Sequence, residues 1–268
     1  MLNGILRGKK RGTGMESVRL LEEFNGSEDT LTATVLERLF YLPDETVSAI
    51  LFSQEIWASV AMIPPTPVEN VLFWPWQTEA GEQAVEPDVI VEFTDRVLVV
   101  EAKRNDFVRQ QKPDQLAREY ARASMQFPGK QVWLLAVGGL QDGRLTTLIA
   151  LRSKLLAELE QTAPSLLDQD VRFAAVHWHK LFSVICDVTA DKYVYRRLIN
   201  DIRVGLILHG INVEPLSWMK ELTLPRWRAV AGGITSPPAA FIPKWVTTLA
   251  RLQPITSAAS VFLPQERE

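Results

Sequence analysis

Cysteine is almost absent. Cys186 is the only one in 268 residues, so no disulfide can close within the chain and no cysteine cluster can hold a metal. Histidine is scarce too, at three residues, and His177 and His179 share one strand face with no further cysteine or histidine spaced to complete a zinc site. Gly138-Gly139 and Gly232-Gly233 lack the lysine of a phosphate loop and the spacing of a dinucleotide fingerprint. There is no serine elbow, and Cys186 sits in the apolar run Val184-Ile185-Cys186, which reads as a buried, inert thiol. No uncharged apolar run is long enough to span a bilayer, and with no secretory leader expected the chain reads as soluble and cytoplasmic, without a membrane partner. Neither sign of charge dominates: 29 Lys and Arg stand against 32 Asp and Glu, a net of −3. That balance argues against a uniformly basic surface, but local patches decide phosphate affinity and a divalent-metal site itself needs carboxylates.

What the chain does have is a hairpin with three ionisable groups at one end. Val89, Val91 and Phe93 alternate with Asp88, Ile90 and Glu92, and Val97-Leu98-Val99-Val100 is a continuous aliphatic run, so both segments read as strands. With Phe93 and Arg96 flanking a two-residue turn, residues whose numbers sum to 189 face one another. Asp88 then sits opposite Glu101, and the side-chain period of two puts Lys103 on the face of Glu101. Directly opposed residues have Cβ atoms about 5 Å apart, where two like charges repel. Something positive must compensate: either Lys103, or a divalent cation of the hard type that takes oxygen ligands.

Helical phase brings a further acid. Ser27 is a good N-cap for a helix over residues 27–41, on which Leu31, Val35, Leu36 and Leu39 form the apolar stripe. Glu28 falls near the middle of that stripe and Glu37 on the opposite side; Asp29 is the neighbouring alternative. Acids in a first helical turn also simply favour the macrodipole. A second helix is expected over 45–60, then a loop carrying Phe73-Trp74-Pro75-Trp76, whose tryptophans read as cover for a core edge. After the hairpin come Arg104, Arg109 and Lys112, a helix opened by Pro113, a strand over 131–137, a helix over 145–160 and a strand over 171–176. Helices over 181–188 and 193–208 and a proline-punctuated tail follow. No internal repeat is evident. The expected organisation is a flexible basic arm (1–15), a core (16–180) and a helical, proline-rich extension (181–268).

Pro87-Asp88 followed by Glu101-Ala102-Lys103, on a hairpin and after an acidic helix, resembles the PD-(D/E)xK nuclease superfamily over roughly residues 25–180. The resemblance implies an α/β fold, a restriction-endonuclease-like α/β/α sandwich with a central mixed sheet and a mostly helical C-terminal extension. It also implies a nuclease hydrolysing phosphodiester bonds, in DNA, of the repair, restriction or anti-phage type. Asp88, Glu101 and the Ala102 carbonyl would be ligands of magnesium or manganese, Lys103 would orient water, and Glu28 would hold a second metal or a metal-bound water. Arg104, Gln115 and Arg118 would contact nucleic acid. Gln115 to Tyr120 is similar to the glutamine and tyrosine helix of the RecB-like branch, but the two are five apart here instead of four. Two assemblies stay open, a homodimer and a larger defence or repair complex. So does an alternative function, that of a nuclease-like domain that no longer cuts and serves binding or assembly.

Overall fold

The computed structural model describes residues 27–58, 63–75, 85–104, 110–168 and 170–213, all within one compact unit, Met1–Pro215. The basic arm and the proline-rich tail lie outside the described residues, as does Arg109. Five strands form one sheet in the order of the chain: β1 (Val68–Phe73), β2 (Val89–Phe93), β3 (Arg96–Ala102), β4 (Gln131–Val137) and β5 (Arg172–Val176). The first three pair antiparallel and the last three parallel, so β3 is where the pairing sense changes. Such a sheet needs crossover helices only after β3 and β4. They are α3 (Pro113–Gln126) and α4 (Leu145–Thr162).

Both crossovers cover one face. Leu116, Tyr120 and Leu155 pack there with Val99, Leu134 and Ala136. The other face carries α1 (Glu28–Thr32), α2 (Asp44–Leu51), α5 (Trp178–Thr189) and α6 (Arg196–Leu208). Leu31, Ile50, Leu181 and Ile202 meet Val91 and Leu135 in its core. The result is a mixed sheet between two helical layers, and β3 at its centre is buried at every position. That explains its unbroken aliphatic run: a strand covered on both faces cannot alternate. Each Leu or Val fully buried this way contributes about 1.5–3 kcal/mol relative to exposure. The helices after residue 177 are part of this packing, since Leu181, Phe182, Ile185 and Leu206 share the core of the sheet.

Several elements differ from the expectations. Val68–Phe73 is an edge strand, not a loop; its pairing with β2 supplies the ladder that a half-exposed sequence does not advertise. The second helix stops at Leu51, where the chain turns and the Trp57 indole donates to the Leu51 carbonyl at 2.8 Å. His177 and His179 are not on a strand: His177 is the N-cap residue of α5 and His179 lies in its first turn, with their rings stacked 5.1 Å apart. The first helix forms where expected, with the Ser27 hydroxyl accepting the Thr30 N–H at 3.4 Å, but it widens into a π-helical turn over Ala33–Glu37. Gly205 of α6 lies against that turn, and a Cβ there would stand 2.0 Å from the Thr34 methyl.

Candidate metal centre at the open end of the hairpin

The register of β2 and β3 is the one read from the turn: Val89 pairs with Val100, Ile90 with Val99, Val91 with Leu98 and Glu92 with Val97. Asp88 stands one residue ahead of this ladder. Its Oδ2 accepts the Ala102 N–H at 2.7 Å, beside Glu101. Asp88 and Glu101 are 8% and 2% exposed, so both carboxyls have left bulk water.

Lys103 follows directly, fixed by its own backbone. Its N–H donates to the Val137 carbonyl at 2.8 Å, and its carbonyl accepts the Trp178 indole N–H at 2.9 Å. Gly138 makes room for this. Its φ is +69°, and a Cβ there would lie 2.1 Å from the Lys103 carbonyl oxygen. The ammonium so held donates to Glu101 Oε1 and, at 3.3 Å, to Glu28 Oε1. Glu28 Oε2 accepts the Arg104 N–H at 2.9 Å. The stripe acid of the first helix therefore joins the hairpin through Lys103 and Arg104.

From the other face α3 contributes Gln115, whose Nε2 donates to Glu101 Oε1 at 2.7 Å and to Glu119 Oε1 at 2.8 Å. Glu119 was not among the expected site residues. It is 2% exposed, and its Oε2 has no hydrogen-bond partner among the described residues. A signal was present in the sequence: position 119 is four after Gln115, one helical turn on, where the RecB-like pattern has its tyrosine. Tyr120, one step further round, is a core residue 2% exposed. Gln111 ties off the strand ends, its Nε2 donating to the Glu101 and Gly138 carbonyls at 3.2 Å each.

Trp74, expected to cover a core edge, also reaches the site. Its indole N–H donates to Asp88 Oδ1 at 3.2 Å and its backbone N–H to the Asp88 carbonyl at 3.0 Å. Arg118 and Arg104 both have partners within the chain. Arg118 pairs with Asp114 at 3.0 Å one turn away on the same helix, and Arg104 reaches the His209 carbonyl at 3.5 Å.

The charges are unbalanced. Burial, then repulsion from Glu101, pushes the Asp88 carboxyl up to about 7. Burial also raises Glu101 against the pull of Lys103. Glu119 is held well above the carboxylate range by burial first and by Glu101 second. Burial works against the Lys103 ammonium, but Glu101, Glu28 and Asp88 outweigh it and keep it above its usual value. The acids are thus biased toward their protonated forms, and a cation would reverse that bias.

The residues present suit magnesium or manganese. Among the described residues no three His, Cys, Asp or Glu side chains are placed to hold a metal together. Magnesium does not require three, since it is bound through one or two carboxylates and otherwise keeps waters. Two buried oxygen-donor side chains, Asp88 and Glu101, with Lys103 as their nearby cation, meet that description.

The chain is 29% identical over 230 residues to an uncharacterized protein of Pasteurella multocida (strain Pm70), a match covering 83% of this chain and 85% of that one. No family model matches the sequence, and no solved structure does. Among the described residues no helix is long and apolar enough to cross a membrane.

Proposed function

We propose that this protein is a magnesium- or manganese-dependent nuclease of the PD-(D/E)xK type, with a restriction-endonuclease-like core, acting on DNA. The observation that carries this reading is the buried group of Asp88, Glu101 and Lys103, in which Asp88 is raised to about 7 by burial and by its neighbour. Two desolvated acids beside one lysine are costly to keep, and strongly perturbed groups of this kind concentrate at functional sites.

Asp88, Glu101 and the Ala102 carbonyl would hold the metal. Once bound, the ion would supply Lewis-acid polarisation of the phosphoryl oxygen and a water of lowered pKa. The remaining roles belong to the chain. Lys103, held charged and fixed at both its backbone N–H and its carbonyl, orients the attacking water and offsets negative charge growing on the phosphate. Glu28 holds Lys103 from the far side. Gln115 fixes the Glu101 carboxylate and keeps Glu119 beside it.

The test is a cleavage assay with circular and linear, single- and double-stranded DNA and RNA, with and without magnesium or manganese. Cleavage that needs the metal and is lost in both Asp88→Ala and Lys103→Ala is expected. Undiminished cleavage by both variants would sink the assignment. Failure of either metal to bind or to raise the thermal midpoint would instead favour a binding or assembly module that does not cut.

A further inference from the structure

Trp74 is the one described non-glycine residue with a left-handed backbone, at φ +47°. A bulky side chain in this region costs roughly 1–2 kcal/mol, so something must hold it there. The following Pro75 does not require it, because a residue before proline is steered toward extended conformations. What the conformation achieves is visible at Asp88: as β1 ends, the backbone N–H of Trp74 meets the Asp88 carbonyl and its indole N–H meets Asp88 Oδ1. Asp88 Oδ2 is already taken by the Ala102 N–H. Each oxygen of this carboxylate therefore has one N–H donor, from strands on opposite sides of β2.

We propose that Trp74 is a positioning residue for the metal-binding carboxylate, its strained backbone aiming the indole N–H so that Asp88 presents one fixed orientation to the ion. This inference rests on the metal-site reading above. Hydrogen bonds from outside the coordination sphere orient ligating carboxylates, and their loss typically costs 10–100-fold in metal affinity or activity. A tryptophan serving only as cover would be replaceable by another aromatic ring.

The experiment compares wild-type protein with Trp74→Phe, which keeps an aromatic ring and deletes the donor. Thermal midpoints are measured against manganese concentration, without any substrate. The expected result is a rise of about 10-fold or more in the manganese needed for half-maximal stabilisation, with the metal-free midpoint little changed. An unchanged manganese requirement in Trp74→Phe, with wild type responding normally, overturns the positioning role and leaves the metal site standing. A wild type that responds to no manganese concentration overturns both.

A second measurement needs no variant. In 15N-labelled wild-type protein the assigned Trp74 indole resonance should move on magnesium titration, in step with the metal-induced rise in midpoint. A stationary resonance while the protein binds the metal overturns the proposal.

Discussion

The two ends of the β2–β3 hairpin carry similar residues and treat them in opposite ways. At the turn, Arg96 forks onto Asp95 at 2.8 and 2.7 Å, and Lys130 meets Glu69 and Glu92 at 2.8 Å each. Asp95 is more than half exposed, and its bond to Arg96 holds its carboxyl below the usual range; Lys130 does the same for Glu69. At the open end the acids are buried and move the other way. Identical chemistry thus stabilises charge at one end and destabilises it at the other, and the difference is water. Solvent at the acids and direct pairing, with Lys130 shared by Glu69 and Glu92, make the turn end an ordinary network of small net worth. Desolvation makes the open end a place where a cation has something to gain.

Lys103→Ala is the strongest way to break this contrast. It removes the cation that Glu101 meets in the buried site, and removing one partner of a buried pair costs about 3 kcal/mol, readable by urea denaturation of the metal-free protein. Cleavage is expected to fall by about 100-fold or more, by analogy with removal of a transition-state donor.

Asp88→Asn sharpens the comparison through pH. The folded value of about 7 lies above the ordinary 3.8, so between the two the folded chain binds more protons than the unfolded chain. The stability contributed by this group is therefore complete below about pH 4 and is lost as pH rises through about 7. Denaturation of metal-free protein at pH 5 and pH 8 should show that decline in wild type and a flatter dependence in the variant. Metal affinity should run the other way and strengthen as pH rises, because the ligand must lose its proton.

Glu119→Gln should do less. The amide imitates a protonated acid, so the fold and the manganese response at neutral pH are expected to survive, checked by thermal midpoint with and without metal. Loss of either would mean that Glu119 acts as an anion. Lys130→Ala, at the exposed end, is expected to shift the midpoint least of all and to leave metal binding untouched; a shift as large as that of Lys103→Ala would mean that the two ends do not differ in this way.

Much of this site was legible because two periods fix it. A two-residue turn and the strand period set the Asp88 and Glu101 neighbourhood, and the helical stripe of Leu31 and Val35 picked out Glu28. The helix position of Gln115 points to a contact with phosphate or with water near the metal, and its amide meets Glu101 and Glu119. Glu119 went unread because an acid in a polar helix looks solvated until the facing strand is known. Trp74 went unread for another reason: no pattern of residue types announces a left-handed backbone. The π-helical turn and the edge strand β1 were hidden likewise, since partners far along the chain stabilise them.

The contacts of Asp88 and Glu28 differ greatly in reach along the chain. Asp88 meets Ala102 across 14 positions, whereas Glu28 meets Lys103 across 75. Closing the longer loop costs about 1.5 kcal/mol more in chain entropy. The hairpin should accordingly assemble its two acids early in folding, before the first helix brings Glu28 to Lys103. With Lys103 already beside Glu101, the hairpin begins with two acids and one cation, and the late arrival of Glu28 adds negative charge only as the fold closes.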